Sequence, residues 1–465
     1  MSQSYQCMLA LVCSVLIALA GSVRAAETEL PRSPLNLEEA LNLAWKKNAS
    51  LKVSRLEQLI AGQEVVRARS GYLPKVDART THTFYDDPVK FRGMEIGGPG
   101  GTFTFSMTDR NFWSNRITVD QTIYDFGATG SRYRQSVLGE EIARLNTGNT
   151  RDEIFFQVAQ LYFQVLRAEK LVIVARQEVV QLQEHLKVAQ DLYEFGLVTF
   201  NDVLQAQVAL ADARQQLIRA QNTVVNTRAA FNKLLDLPVD HPTRLQEESG
   251  ITLPTWNQQE ATELALGQRS DLKAANRRVL QGEKGVTKAR AGYYPRLFAQ
   301  AGHIYEQNDL TVHDSQYFAI LGLQWNLFSG LDTRAQVAQA HQRLQQLLVQ
   351  RQDLAEQVKL EVQTAYLALK ETAERIGVTK DAVAQGEENL RLNQERYKEQ
   401  VGTATDVIDA QTLLTRARVN YFNAIFDHQI AKAQMLRAMG RINGLAANDD
   451  LTANGQKHGR KRTDQ

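Results

Sequence analysis

The chain has 465 residues, a length that usually corresponds to more than one domain. Its 54 Lys and Arg nearly balance its 52 Asp and Glu, and charges of both signs are spread along the chain. Because there is no cationic stripe, we expect no nucleic-acid partner.

Residues 1–25 are typical of a cleaved secretory signal. A short apolar run, 9–20, leads to a small-residue cleavage site at Ala25. No Lys or Arg precedes the run, so an uncleaved anchor is the alternative, although the run is too short for a permanent membrane helix. Since the two cysteines, Cys7 and Cys13, lie in this segment, the mature chain would have neither a disulfide framework nor a thiolate metal site.

The rest of the chain repeats one pattern twice. The segment 68–75 reads Ala-Arg-Ser-Gly-Tyr-Leu-Pro-Lys, and the segment 289–296 reads Ala-Arg-Ala-Gly-Tyr-Tyr-Pro-Arg. The sequence therefore predicts a first structural repeat over 26–245, a second over 246–443 and a disordered polar tail over 444–465.

Each repeat begins with a predicted helix, about 37–70 or 257–292, that changes to a strand at Pro74 or Pro295. Proline stops a helix and favours an extended chain before it. Two strands follow in each copy, at about 75–85 and 116–124 in the first and about 296–306 and 316–327 in the second. We therefore expect both prolines to mark helix–strand transitions.

The predicted strands have the character of membrane strands. Apolar Ile117, Val119 and Ile123 alternate with polar neighbours, the period of two of a strand with one apolar face. Each strand has about 9–11 residues, the length that a tilted strand needs to cross a bilayer. Because no later apolar run is long enough for a membrane helix, a membrane-resident mature chain would have to form a β-barrel.

Four strands per chain are too few to close such a barrel. Open edges would leave backbone N–H and C=O groups in lipid at several kcal/mol each, as a general estimate. The sequence thus predicts a cyclic homo-oligomer, with twelve strands from three chains or sixteen from four.

Long helices are predicted over about 127–193 and 331–397. Their apolar and small residues step by four and three, a period that indicates a left-handed coiled coil. Each helix would be roughly 100 Å long at 1.5 Å per residue. Shorter helices of about half that length flank them, so two short helices end to end would match one long helix and form the wall of a tube.

The repeated motifs, in this order, resemble the TolC family of outer-membrane channel proteins over about residues 35–440. The motifs are Leu-Glu-Glu-Ala-Leu at 37–41, Ile-Tyr-Asp-Phe-Gly at 123–127, Leu-Phe-Ser-Gly at 327–330, and Tyr-Glu-Phe-Gly at 193–196 followed by Asp-Val-Leu at 202–204. The resemblance implies a mainly α fold in which a homotrimer forms a 12-stranded β-barrel in outer-membrane lipid on an α-helical coiled-coil tunnel in the periplasm of a Gram-negative bacterium.

The same resemblance implies a function and partners. The family forms the outer-membrane channel of tripartite export systems, with a periplasmic adaptor (membrane fusion) protein and an inner-membrane ABC or proton-driven pump. The duct performs no chemistry and takes no cofactor or metal. The cargo stays open between efflux of small molecules and type I secretion of proteins, with a slight preference for type I secretion or a general-purpose duct.

The family's gate lies at the periplasmic tips, where carboxylate rings line a constriction. Asp406 and Asp409 match the ring positions, and Asp202 with Tyr397 matches a pair that holds the gate shut. Rings of carboxylates attract cations and can raise one another's pKa through like-charge repulsion. The alternative is that Asp202 and Asp406 only cap their helices.

One gate position departs from the family. An arginine often stands five residues after the tyrosine, but here that residue is Gly402. A basic partner would therefore have to be Lys398 or Arg396.

Two other classes of protein fit the sequence less well. The eight histidines show no metalloenzyme spacing and no catalytic nucleophile motif is present, so we expect no enzyme. A non-conducting structural coiled-coil protein of the envelope is the alternative, but it would not need two pairs of amphipathic strands.

Overall fold

The computed structural model describes residues 34–446, except 89, 93–103, 107, 248–249, 255 and 308–312. The predicted signal segment and the predicted tail from residue 447 onward lie outside the described residues. The tail prediction began too early, because Gly444 and Leu445 belong to a short 3-10 helix, Ile442–Leu445. Its Ile442 is fully buried in the central core, which explains why the chain stays folded up to this point.

Helices and strands alternate in the same order in both halves. The first half contains α1 (Leu37–Lys47), α2 (Ala49–Arg69), β1 (Lys75–Phe84), β2 (Lys90–Arg92), β3 (Thr104–Ser106), β4 (Asn111–Tyr124), α3 (Ala128–Glu194) and α4 (Phe200–Leu234). The second half contains α5 (Gln258–Gln268), α6 (Ser270–Ala291), β5 (Arg296–Glu306), β6 (Ser315–Gln324), α7 (Asp332–Lys398) and α8 (Ala404–Ala438). The short β2 and β3 pair only with each other.

Equivalent helices of the two halves have the same length to within one residue. The long helices α3 and α7 each have 67 residues, and α4 and α8 each have 35. Asn36 and Asn257 begin α1 and α5 with the same capping box, each paired with the glutamate three residues later, Glu39 or Glu260.

The first predicted helix of each repeat is in fact two helices. The break falls at Asn48 in the first half and at Arg269 in the second, where ψ is 130° at both residues. Asn48 stabilises the break because its Oδ1 accepts from Leu51 N at 3.2 Å and its Nδ2 donates to Leu234 O at 2.8 Å. The continuous helix expected over 37–70 was therefore wrong, since apolar periodicity alone does not reveal a capped break.

At the corresponding break in the second half, Arg269 lies at the centre of a buried ionic cluster. Its guanidinium donates to Asp271 Oδ1 and Oδ2 at 3.1 and 2.6 Å and to Glu361 Oε2 at 2.5 Å. Burial raises the pKa of Asp271, but the hydrogen bonds and charge of Arg269 outweigh it and leave that pKa below its ordinary value. The cluster thus ties α6 to α7 close to the C-terminal end of α8, at Ala438.

The four longer strands form one antiparallel sheet in the order β1-β4-β5-β6. β4 begins at Asn111, earlier than predicted, because its first residues pair with the end of β1, as in the pair of His82 with Trp113. β6 ends at Gln324, earlier than predicted, and the indole of the next residue, Trp325, donates to Tyr293 O at 3.1 Å. β1 and β6 are the two edges.

The two faces of this sheet differ in polarity. The strand register places the following apolar side chains on one face: Val76, Ala78, Ile117, Val119, Leu297, Ala299, Ala301, Tyr317, Ala319, Leu321 and Leu323. Every Lys, Arg, Asp and Glu of the four strands lies on the other face. There Gln300 Nε2 donates to Asp120 Oδ1 at 2.6 Å. The sheet is therefore amphipathic, as the alternation of residues predicts.

A glycine on the polar face allows a phenylalanine to lie flat against the sheet. A Cβ at Gly302 would lie 2.6 Å from Ile117 O and 2.7 Å from the ring of Phe318, its cross-strand partner. We expect Gly302→Val to destabilise the protein by about 1–3 kcal/mol because the backbone or ring must shift. Thermal unfolding of the purified protein would measure the loss. Ala301→Val, on the opposite face, is the matched control, and equal midpoints for both variants would contradict the expectation.

The central core lies where the short helices meet the middle of α3 and α7. Tyr162 of α3 is fully buried there, and its hydroxyl donates to Gln246 O at 2.5 Å. Phe155, Phe231 and Leu41 are also fully buried in this cluster. This core holds the two halves together. None of the described helices is both long and apolar enough to cross a membrane.

One exposed apolar stripe runs along α7. Its members are Val349, Leu360, Leu367, Val378 and Leu392, each at least 45% exposed. At 3.6 residues per turn their spacing places them on one face of the helix, over a length of roughly 65 Å. None of the described residues of the protomer covers this stripe.

Candidate functional site at the hairpin tips

Two helical hairpins, α3–α4 and α7–α8, end side by side at one extremity of the molecule. Each turn passes through a residue with positive φ, Gly196 at 69° and Gln400 at 61°. An equivalent backbone hydrogen bond closes each turn: Leu197 N donates to Leu192 O, and Val401 N donates to Arg396 O, both at 2.9 Å. Thr405 Oγ1 of α8 donates to Gln205 Oε1 of α4 at 3.1 Å, so the two tips touch.

Two of the predicted gate acids are capping residues within the protomer. Asp202 Oδ2 accepts from the backbone N and the hydroxyl of Thr199, at 3.0 and 3.1 Å. Asp406 Oδ2 accepts from the same groups of Thr403, at 2.9 and 2.8 Å. Asp202 and Asp406 therefore both cap the helices that follow them. In each case the capping bonds use only one of the two carboxylate oxygens, Oδ2.

Within one protomer, the surroundings of Asp406 favour its charged form. The backbone and hydroxyl hydrogen bonds from Thr403 hold the pKa of Asp406 below its ordinary value, with a smaller contribution from the charge of Arg396. Arg396 also packs against Gly402: a Cβ added at Gly402 would lie 3.2 Å from the Cβ of Arg396. Asp409 lies one turn further along α8 and is exposed.

Tyr397 does not form a hydrogen bond with Asp202 in the protomer. It is 3% exposed and packs in the tip core with Val203, Leu390 and Val407. Its hydroxyl has no hydrogen-bond partner in the described part of the chain. Burial raises the pKa of Tyr397, and the negative charge of Asp202 adds to that rise. The holding pair therefore stays a prediction, supported so far only by proximity.

Sequence reasoning missed His185 of α3. It is 6% exposed, and its ring centroid lies 5.2 Å from that of Tyr397. The signal was present, because Leu182, His185 and Ala189 step by three and four beside the predicted apolar seam. In the equivalent place of the first half, Tyr193 is exposed and its ring packs at a tilt against that of Phe200, so the two tips are not alike.

The predicted transition prolines lie at the opposite end of the helices. Pro74 directly precedes β1 after a 3-10 turn, Ser70–Tyr72, and Pro295 directly precedes β5. Both residues therefore separate the helical part of the chain from the sheet, far from the tips. Within the described ranges, no three His, Cys, Asp or Glu side chains are grouped so that they could hold a metal ion.

The sequence pattern that defines outer membrane efflux proteins matches residues 40–236 and 261–441, one stretch in each half of the chain. The chain belongs to the outer membrane efflux protein family. Outer membrane efflux protein BepC of Brucella suis is 22% identical, over 92% of this chain and 91% of its own. Outer membrane protein TolC of Vibrio cholerae is also 22% identical, over 88% of this chain and 91% of its own.

Solved structures show the same fold. The CmeC outer membrane channel of Campylobacter jejuni has a TM-score of 0.77 at 17% identity, over 91% of this chain and 89% of that chain. The mainly helical fold with a small antiparallel sheet is thereby confirmed, as is the resemblance that the repeated motifs indicated. As an outer membrane efflux protein, the chain is an export channel protein of the outer membrane.

Proposed function

We propose that this outer membrane efflux protein is the homotrimeric duct of a tripartite export system. It passes small molecules or secreted proteins from an inner-membrane ABC or proton-driven pump, through a periplasmic adaptor, to the outside. The duct itself performs no chemistry and takes no cofactor. The large helical part lies in the periplasm, with the hairpin tips facing the pump.

The amphipathic sheet with two unpaired edges carries this proposal. In lipid, the N–H and C=O groups of β1 and β6 need partners, and edges of further copies supply them. When the sheet closes, the apolar face turns to the lipid and the charged face to a water-filled interior. Three copies would give twelve strands around an aqueous path.

The apolar stripe of α7 supports the same assembly outside the membrane. Five exposed apolar side chains in line form a large patch for a soluble surface, and such patches mark interaction sites. A cyclic arrangement of copies covers this stripe in every protomer at once. The stripe therefore favours a closed homo-oligomer over a single-chain rod.

A groove at the tips offers a surface for the adaptor. A cavity of about 700 Å³ runs between α4 and α8. Its lining includes Leu182, Leu204, Val208, Ala209, Ile408 and Thr412. Polar side chains, among them Glu178 and Asp212, also line this groove. A groove of this mixed character accepts an amphipathic helix, so a helical hairpin of an adaptor fits it.

Single-channel recording in planar bilayers tests the duct and its ring together. We expect the purified protein to conduct, and divalent cations added on the tip side to block the current because Asp406 and Asp409 attract them. Neutralising both as Asp406→Asn and Asp409→Asn should raise the half-blocking concentration about tenfold or more, since six charges leave one axis of a trimer. Asparagine keeps a side-chain oxygen that can accept the capping bonds of Thr403.

Matched acids at the other tip serve as the control. Asp191→Asn with Glu194→Gln removes the same number of charges from the end of α3. Equal block in wild type and the Asp406 and Asp409 double variant would remove these residues from the gate. A folded protein that never conducts would favour the non-conducting envelope coiled coil.

A further inference from the structure

A small cavity separates the two hairpins just above their tips. It measures about 100 Å³ and is lined by Glu184, His185 and Val188 of α3 and by Gln394, Tyr397 and Lys398 of α7. His185 and Tyr397 are both more than nine-tenths buried. Neither His185 Nε2 nor Tyr397 Oη has a hydrogen-bond partner in the described part of the chain. Buried polar atoms are usually bonded, so two such atoms at one cavity are unusual.

This cavity lies between one helix of each hairpin, α3 and α7. His185 belongs to the first hairpin and Tyr397 to the second, and their rings lie 5.2 Å apart. Tyr397 continues into the tip core, which joins Ala189, Val203 and Val407 of the neighbouring helices. Any movement that separates the hairpins at their tips therefore has to pull His185 away from Tyr397.

We propose that His185 is a positioning residue of the gate: neutral, it lets the two hairpins pack together, and protonated, it drives them apart. This proposal rests on the proposed function and concerns the regulation of the same gate.

The surroundings of His185 favour its neutral form while the hairpins are packed. Around it stand Glu184 on its own helix, Asp202 from α4, and Tyr397 and Lys398 from α7, whereas α8 contributes apolar Val407 to the adjoining tip core. Burial lowers the pKa of His185 below its ordinary value, and the charge of Asp202 opposes this only in part. Tyr397, with its raised pKa, stays neutral and contributes no charge.

The direction of the pH effect follows from this difference. Once the hairpins separate and water reaches the ring, His185 regains an ordinary pKa of about 6.5. The separated state then binds the proton more tightly than the packed state. The packed state is fully favoured above that value and loses stability as the pH falls below it. Acidification therefore shifts the tips toward separation.

Bilayer recordings at two pH values test the proposal. Between about pH 7.5 and about pH 5.5, we expect the open probability of wild type to rise several-fold, in the range where histidine titrates. His185→Gln, which keeps a polar side chain but takes up no proton, should show little or no rise. His341→Gln makes the same change at the far end of α7 and should behave as wild type. An equal rise in all three proteins would overturn the proposal.

A distance measurement gives the same answer without any current. Spin labels at Glu194→Cys and Glu399→Cys, both exposed at the two turns, report the separation of the tips. The background carries Cys7→Ser and Cys13→Ser, since the sequence has no other cysteine. We expect a longer distance component below about pH 6.5, present with His185 and absent with His185→Gln.

The two experiments separate failure of the proposal from failure of the duct. If the wild type gives no current at any pH, the proposed function is wrong. The spin-label distances would still show whether His185 controls the separation of the tips. If the protein conducts but the spin-label distances are the same above and below about pH 6.5, only the proposed role of His185 is wrong.

Discussion

Replacing Leu360 and Leu367 by glutamate should leave the chain folded but unable to form the proposed trimer. Both side chains are more than half exposed in the protomer, at 64% and 53%, so the substitutions disturb no internal packing. In the assembled tube each would bury an unpaired carboxylate, at a general cost of several kcal/mol per charge. We expect monomers by light scattering in detergent, complete loss of bilayer conductance and an unchanged helical circular dichroism spectrum.

The control adds the same charges to a different face of the same helix. Gln346 and Gln350 are exposed and lie outside the stripe, roughly 60° and 100° around the helix from Val349, so Gln346→Glu with Gln350→Glu should still assemble. A Leu360 and Leu367 double variant that remains trimeric would show that the α7 stripe faces something other than a second copy.

Arg269→Ala should cost the fold about 3–5 kcal/mol, the general cost of leaving a buried charge without its partner. Arg269 is 8% exposed and donates to both Asp271 and Glu361. Its removal leaves two carboxylates facing each other between α6 and α7. Denaturant unfolding followed by circular dichroism would measure the loss at neutral pH.

The pH dependence distinguishes this cause from a simple loss of packing. In wild type the pKa of Asp271 is lowered, so its stabilisation is present above the unfolded value of about 3.9 and is lost below it. Without Arg269, burial should raise that pKa, and protonation then relieves the variant as the pH falls. The difference in stability between wild type and Arg269→Ala should therefore shrink on acidification.

Two further variants check the assignment. Arg269→Lys keeps the charge but loses the paired hydrogen bonds, and it should fall between wild type and alanine. Combining Arg269→Met with Asp271→Asn and Glu361→Gln removes the charges as a set and should recover part of the loss. A stability difference that does not change with pH would rule out the ionic explanation.

The periodic features of the fold could be predicted from the sequence. The duplicated Gly-Tyr-x-Pro segments gave the repeat, and the steps of three and four gave the long helices to within a residue or two at each end. The sheet faces followed from the alternation at Ile117 and Val119, which the register confirms. Such patterns are visible because each is a local consequence of which face is buried.

Features that depend on contacts between distant segments could not be predicted. The break at Asn48 depends on a hydrogen bond to Leu234, and the cluster at Arg269 depends on Glu361. At the tips, the family resemblance implied a pair of Tyr397 with Asp202, whereas the ring beside Tyr397 in the protomer is that of His185. A lone histidine carries no local signal of its partner, so its role is visible only once the two hairpins are placed side by side.

Both long helices, α3 and α7, are held in the central core and extend far beyond it to the tips. A tilt of either helix about the core would therefore move its tip. Tyr162 lies in that core, and the end of α3 at Glu194 lies roughly 48 Å further along the helix at 1.5 Å per residue. A tilt of about 5° around Tyr162 would carry that end sideways by roughly 4 Å. Small adjustments of packing in the core are therefore magnified at the tips, where the proposed gate lies.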